Sequence, residues 1–320
     1  MARPRNIAIT IGDPAGIGPE IVLKSLLSDE VMRSCRPLII GSRSVLDTAS
    51  EKMGIPFDPA AYDVLNTGEI KSSDFPRGQA TVEGGRECVA YIRKAVELAM
   101  LRVVDAIVTA PISKEAMKIA GFAWPGHTEM LAELTGTKDY AMVLCGGPLK
   151  VILTTIHTAL RNVPDMVTKE KVLRTIVLAE KACSMMGIKE PKIAVAGLNP
   201  HGGEAGIFGE EEIRHIAPAV REAQVAGIAV SGPYPADTLF HKAYHGDFDI
   251  VVCMYHDQGL VPLKMIAFEK GVNMTVGLPI IRTSPDHGTA YDIAWKGISD
   301  PSSMVEAIKL AAQLGGNPPL

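Results

Sequence analysis

Asp249-Ile250-Val251-Val252-Cys253-Met254-Tyr255-His256-Asp257-Gln258-Gly259 opens the stretch that decides how this chain folds. Ile250 to Met254 is a short apolar, β-rich run, which reads as a buried strand. The polar groups that follow stand at its carboxyl end, where open α/β sheets bind ligands. The stretch then passes Lys264 and Asn273. It ends in Arg282-Thr283-Ser284-Pro285-Asp286-His287-Gly288-Thr289-Ala290. An imidazole, several carboxylates, a lysine and an arginine in one such segment point to an anionic substrate beside a metal.

Outward from this stretch, strands and helices alternate. The apolar Ile7-Ala8-Ile9-Thr10-Ile11 leads into Gly12-Asp13-Pro14-Ala15-Gly16-Ile17-Gly18-Pro19-Glu20 and then a helical pattern through Ile21, Val22, Leu26 and Leu27. Glycines permit a tight turn, and Pro19 suits a first helical position. The turn is either a plain strand-to-helix connection or an anion site at a helix N-terminus; its spacing is not that of the dinucleotide fingerprint. Pro37 to Gly41 and Ala106 to Pro111 read as further strands, and Ser113 as a helix cap. Glu87 to Arg102 reads as a helix with Val89, Ile92, Val96 and Met100 on its inner face. Asp58 to Arg77 shows little periodicity and reads as loop or short strands.

Gly126-His127-Thr128-Glu129 opens another helix, where His127 and Thr128 are either capping residues or ligands for a carboxylate or phosphate. Tyr140 to Gly146 and Val151 to His157 form a hairpin around Gly146-Gly147-Pro148, so the sheet should be mixed. Lys169 to Met186, Glu210 to Gln224 and Met304 to Leu314 read as helices, Ile193 to Gly197 as a strand, and Gly232 to Thr238 as a loop. The alternation predicts parallel β/α layers.

Three histidines share one situation. His157, His201 and His256 each follow an apolar strand and precede a loop. Neutral imidazoles favour Zn, Ni, Co, Fe or Mn over Mg, and three protein ligands with an open position is the catalytic pattern. Asp237 and Asp257 are possible extra ligands, orienting groups or bases. The alternative is three unrelated histidines that satisfy loop backbones. Lys264 and Arg282 can clamp a phosphate or carboxylate. Their alternative is surface solvation, but Arg282 follows the apolar Leu278-Pro279-Ile280-Ile281, a run that should lead from the interior towards a cleft.

The net charge of -4 gives no reason to expect nucleic acid. No apolar run reaches the ~20 residues that span a bilayer, and the amino terminus has no secretory pattern. Five dispersed cysteines read as reduced, buried thiols, so a cytoplasmic protein is expected.

Six blocks together resemble the 4-hydroxythreonine-4-phosphate dehydrogenase family of vitamin B6 biosynthesis. They are GDPAGIGPE (Gly12–Glu20), GHTE (Gly126–Glu129), GLNPHGGE (Gly197–Glu204), PADTLF (Pro235–Phe240), YHDQGL (Tyr255–Leu260) and GVNMTVGLPIIRTSPDHGTA (Gly271–Ala290). The first block and DHGTAYDIAWKGISDP (Asp286–Pro301) are also similar to isocitrate and isopropylmalate dehydrogenases.

The resemblance implies two α/β/α domains with mixed, mostly parallel sheets and an inter-domain cleft. One domain would span 1–130 plus 275–320 and carry the NAD-binding loops. The other, 131–274, would carry the metal ligands and a dimer interface. It implies a divalent metal (Zn, Co, Mn or Mg) on His157, His201 and His256, and substrate contacts from His127, Thr128, Lys264, Asn273 and Arg282. NAD or NADP would lie against Gly12, Asp13, Gly16, Asp286, His287, Gly288 and Thr289. Lys264, Asp237 and Asp257 are the candidates for proton transfer. The implied partners are a small phosphorylated acid and a second copy of the chain sharing the active sites.

The implied reaction is oxidation of 4-phosphooxy-L-threonine at C3, then decarboxylation to 3-amino-2-oxopropyl phosphate. A similar sister group implies D-threonate or D-erythronate 4-phosphate instead, giving dihydroxyacetone phosphate. A metal-dependent phosphatase and a non-catalytic phospho-ligand sensor are the competing classes.

Overall fold

Ile7, Ala8, Ile9 and Thr10 are all fully buried, so the first strand is covered on both faces, as in a parallel sheet flanked by helices. The computed structural model that shows this describes residues 4–68, 70 and 75–316. Parts of the stretch expected to be irregular, residues 69 and 71–74, lie outside the described residues, as do the chain ends 1–3 and 317–320. The described residues fall into two compact units, one within Met1–Lys138 and Leu278–Pro319, the other within Asp139–Gly277.

The first unit begins with β1 (Arg5–Thr10), α1 (Gly18–Leu26), α2 (Asp29–Ser34), β2 (Cys35–Gly41), α3 (Arg43–Met53) and β3 (Asp63–Asn66). It continues with α4 (Val82–Met100), β4 (Ala106–Thr109), α5 (Lys114–Ile119) and α6 (His127–Leu134). The second unit holds β5 (Ala141–Gly146), β6 (Leu149–Leu153), α7 (Val163–Met166), α8 (Lys169–Met185), β7 (Ile193–Ala196) and α9 (Ala217–Val225). It ends with β8 (Val230–Tyr234), α10 (Ala236–Tyr244), β9 (Ile250–Cys253), α11 (His256–Ala267) and β10 (Val272–Val276). The chain then returns to the first unit as β11 (Arg282–Pro285) and α12 (Ser302–Leu314).

In the first unit the strands run β3-β2-β1-β4-β11, parallel throughout. Helix α4 packs on β1, β2 and β4, and α12 on β1, β4 and β11. Helix α4 starts earlier than its sequence pattern suggests, because the Thr81 hydroxyl accepts the Gly84 N–H at 2.9 Å and caps it. The Gly84-Gly85 pair reads locally as a helix breaker, but Gly85 is where α5 crosses. A Cβ there would lie 2.1 Å from the Ala116 carbonyl oxygen and 2.8 Å from the Ala120 methyl. Met100, expected to face inward, is 48% exposed in the last turn of α4.

In the second unit the order is β10-β5-β6-β9-β7-β8. The β10/β5 and β5/β6 pairs are antiparallel, and the β6/β9, β9/β7 and β7/β8 pairs are parallel. The hairpin expected around Gly146-Gly147-Pro148 is therefore β5–β6, and the fold is a mixed, mostly parallel α/β architecture. Its core joins Leu144, Val151 and Val251 on the sheet to Leu239 of α10 and Leu260 and Leu263 of α11.

Three local expectations need correction here. The segment Gly232–Thr238, read as loop, contains the end of β8 and the start of α10. Strand β8 lies at the sheet edge, where a proline costs no ladder bond. His256 does not precede a loop; it is the first residue of α11. Strand β6 stops at Leu153, although the Thr154 and Thr155 N–H groups still donate to the carbonyls of Cys253 and Met254.

All five cysteines are free, four of them buried. Among the described residues, no helix is long and apolar enough to cross a membrane.

The α4–α5 contact is testable. Gly85→Ala should lower stability by about 1–3 kcal/mol through overpacking. Urea midpoints would show this. An unchanged midpoint would mean that α5 yields freely.

Candidate functional site

The turn after β1 is held by its own residues. Gly12 has φ 70°, and a Cβ on it would lie 2.3 Å from the Pro111 carbonyl oxygen. Asp13 is wholly buried. Its Oδ1 accepts the Ala15 N–H at 2.9 Å, and its Oδ2 accepts the Tyr291 hydroxyl at 2.5 Å. Desolvation raises its pKa, against the lowering effect of those two bonds. The Ile17 N–H donates to the Thr289 carbonyl at 3.0 Å, and a Cβ on Gly16 would meet Thr289 at 2.9 Å. The Trp295 indole donates to the Pro14 carbonyl at 2.9 Å.

The two loops expected to bind the cofactor are thus laced to one another. Both carboxylate oxygens of Asp13 are engaged inside that lacing, so Asp13 holds the loops and has no exposed surface to offer. The Asp286 N–H donates to Ser303 Oγ at 3.2 Å. His287 and Gly288 are exposed, and nothing lies within 4 Å of where a Gly288 Cβ would be. Tyr291 and Trp295, which fix this arrangement, carried no local sequence signal.

Arg282 starts β11, in register with Ile107 of β4. Only 1% of it is exposed. Its Nε and Nη2 both donate to Thr109 Oγ1, at 3.1 and 2.8 Å. Burial draws its pKa down to about 9, while Glu129 acts the other way, so it is charged at neutral pH. His127 opens α6, and its buried Nε2 has no hydrogen-bond partner in the protein. Desolvation first, then Arg282 and Lys114, pulls its pKa well below the ordinary imidazole value. Thr128 beside it is buried. A neutral imidazole, a helix N-terminus and a fixed guanidinium together favour an anion. Thr109 escaped the sequence reading, since a threonine ending a strand has no distinguishing spacing.

In the second unit the strand order brings the carboxyl ends of β6, β9 and β7 side by side. These are the strands that precede His157, His256 and His201. The rings of His157 and His256 lie 5.7 Å apart, centroid to centroid. They line a pocket of about 430 Å³ with Leu160, Val163 and Tyr255. His256 Nδ1 lies 2.7 Å from Asp257 Oδ1, which leaves Nε2 for another partner. His201 stands apart, its ring 6.1 Å from that of Phe208. Among the described residues, no three His, Cys, Asp or Glu side chains converge as one metal-binding set.

Asp237 is exposed in the first turn of α10. Lys264 is half-buried on α11, its Nζ 5.8 Å from the Phe268 ring centroid. Asn273 lies on β10, and its buried Oδ1 has no hydrogen-bond partner. Two of the five expected substrate residues, His127 and Asn273, thus carry a buried polar atom that only a ligand or water can satisfy.

His127 should show its burial in the pH dependence of stability. Its folded pKa lies below the ordinary 6.5, so between the two values the unfolded chain binds more protons. The stability is present above about pH 6.5 and falls as pH drops towards the folded pKa. Urea midpoints measured across this window should fall with pH in the wild type and fall less in His127→Gln. Equal slopes would mean that the imidazole is not held neutral.

The pyridoxal phosphate biosynthetic protein PdxA family model matches residues 33–311. The 4-hydroxythreonine-4-phosphate dehydrogenase of Desulforapulum autotrophicum is 49% identical over 320 residues, covering 96% of this chain and 94% of that protein. The D-threonate 4-phosphate dehydrogenase of Salmonella typhimurium is 44% identical over 324 residues, covering 97% of this chain and 99% of that one. Among solved structures, the 4-hydroxythreonine-4-phosphate dehydrogenase of Klebsiella pneumoniae matches with a TM-score of 0.90 at 42% identity, covering 99% of each chain. On the extent of these matches, this chain belongs to the PdxA family of pyridoxal phosphate biosynthetic proteins.

Proposed function

We propose that this protein is a cytoplasmic NAD(P)- and divalent-metal-dependent dehydrogenase. Its substrate is 4-phosphooxy-L-threonine, oxidised at C3 and decarboxylated to 3-amino-2-oxopropyl phosphate on the route to pyridoxal 5'-phosphate. The observation that carries this reading is the buried Arg282, anchored on Thr109, together with the buried, unpartnered Nε2 of His127 at the start of α6. A fixed guanidinium beside an unsatisfied neutral imidazole suits a phosphate or carboxylate. Oxidation of D-threonate 4-phosphate is the second reading, favoured by the similarity to the Salmonella enzyme. The two substrates share carboxylate, C3 hydroxyl and terminal phosphate and differ at C2.

The donor set suits a divalent transition metal. His157, His201 and His256 are imidazoles at neighbouring strand ends, and Asp257 engages the Nδ1 of His256. A metal held by these imidazoles would supply Lewis-acid polarisation, and a bound nicotinamide nucleotide would supply the hydride acceptor. The nicotinamide nucleotide is assigned to the exposed His287-Gly288 segment, with Asp286, Thr289, Gly12 and Gly16 shaping the loops behind it. Arg282 and Lys264 hold the anionic groups, and His127, Thr128 and Asn273 orient the substrate. Asp257 orients His256, which leaves Lys264 and Asp237 for proton transfer.

The functional unit in this proposal is a homodimer. Leu160, Ile207, Phe208, Val261, Met265 and Phe268 are exposed apolar side chains of the second unit, near the candidate metal ligands in sequence. Exposed apolar surface of this kind marks an interaction site. A second copy would cover it and complete ligand sets that the described residues of one chain do not assemble.

The test is reduction of NAD+ or NADP+, followed by NADH or NADPH absorbance, with 4-phosphooxy-L-threonine, D-threonate 4-phosphate and their dephosphorylated analogues. Release of phosphate without nucleotide reduction would indicate a phosphatase instead. A charge-assisted contact contributes roughly 1.5–3 kcal/mol, so Arg282→Ala should lower kcat/KM about ten- to a hundredfold. The loss should fall on the phosphorylated substrate, and Arg282→Lys should recover part of it. Equal losses on both analogues would assign Arg282 to the carboxylate or the fold.

Metal dependence and sharing are tested together. Chelation should abolish turnover, as should His201→Ala or His256→Ala alone. Mixing the two inactive variants should restore part of the activity if their ligands come from different subunits. No recovery in verified heterodimers would mean that one subunit supplies both.

A further inference from the structure

Residues 201–205 form one turn of left-handed backbone. Their φ/ψ values are 53/24 for His201, 64/34 for Gly202, 80/-12 for Gly203, 41/62 for Glu204 and 55/29 for Ala205. L side chains adopt this conformation only at a cost, and ordinarily as single residues. Three of these five residues, His201, Glu204 and Ala205, are not glycine and need the surroundings to enforce it.

The carboxylate packed against this turn is that of Glu212. It is only 3% exposed and is the first residue of a π-helical segment, Glu212–Ile216. Its Oε1 accepts the N–H groups of Leu198 and Asn199, both at 2.7 Å. Its Oε2 accepts Asn199 Nδ2 at 2.9 Å. Asn199 in turn offers its carbonyl to the Gly202 N–H at 3.1 Å, which starts the left-handed turn. On the other side, a Cβ on Gly203 would lie 2.6 Å from Glu212 Oε2. The carboxylate is therefore wedged between the end of β7 and the turn that carries His201. Burying a carboxylate is costly unless every lone pair is used, and here the bonds converge on the segment before the histidine.

We infer that Glu212 is a positioning residue for His201, locking the left-handed turn so that the imidazole is preset for a divalent metal. This rests on the metal reading above, and the two can fail separately. The experiment titrates metal-depleted, full-length protein with Co2+, following its d–d absorption and the calorimetric Kd, with thermal melting of the metal-free protein in parallel.

Glu212→Ala should weaken Co2+ binding about 10–100-fold and alter the absorption band. Glu212→Gln keeps an amide oxygen for the two backbone N–H groups and should recover most of the affinity. If Glu212→Ala does not fold, Glu212→Asp carries the same test, since it withdraws the carboxylate by one methylene. Wild-type affinity and spectrum in the folded variant, with only a lower melting temperature, would overturn the proposal alone. Failure of the wild type to take up Co2+ would overturn it together with the metal reading.

Discussion

A guanidinium with 1% of its surface exposed constrains everything around it. Burying such a charge is tolerable only when its donors are satisfied and its field is balanced. Thr109 meets two of those donors from the end of β4, and the carboxylate of Glu129 supports the charge from α6. The same field, added to desolvation, keeps His127 neutral. A cation, a neutral ring and the first turn of a helix are thereby fixed together, with no room for a second positive charge on the imidazole. Changing the identity of β11's first residue would leave Thr109 Oγ1 without its two donors and remove one contribution to a neutral His127, with desolvation still acting.

The second unit works by a different constraint. Its parallel strands set three histidines in a row along one sheet edge, but the connecting segments decide how far each can reach. His256 is drawn into the first turn of a helix and paired with Asp257. His157 sits beyond the last ladder bonds of β6 and faces it. His201 rides on strained left-handed backbone and points to different neighbours. In the proposed homodimer, a second copy would bring the third imidazole to the two that meet. The exposed apolar side chains of α11 and the 207–208 segment are consistent with such a partner.

How much of this was legible in the sequence depended on range. The strands around Ile7, Val108, Val195 and Val251 were legible because a fully buried parallel strand is a continuous apolar run. The place of each of the three histidines, after the end of a buried strand, was legible for the same reason. Strand β8 and α10 were not, since Gly232, Pro233 and Pro235 are turn residues everywhere except at a sheet edge and a helix start. The supporting residues were hidden for a deeper reason. Thr109 and Arg282 are 173 positions apart, and Asp13 and Tyr291 are 278 apart. Local pattern carries no information about pairings of that range. Asp13 illustrates the consequence: its place in a glycine-rich turn suggested a ligand contact, and its burial makes it a fastening for the loops.

Each unit holds, among the described residues, a buried polar atom with no hydrogen-bond partner in the protein. His127 Nε2 and Asn273 Oδ1 have no hydrogen-bond partner in the protein, and an atom of this kind left unmet by ligand or water costs about 1–3 kcal/mol. Folding alone has no use for such groups, since an apolar residue of similar shape would avoid the cost. They are retained at positions that the sequence blocks had already singled out for substrate. A ligand that satisfies them recovers that cost as binding free energy, and an analogue lacking the matching atom leaves them unpaired. That asymmetry lets a site built from polar groups reject near-isosteres more strongly than an apolar pocket can.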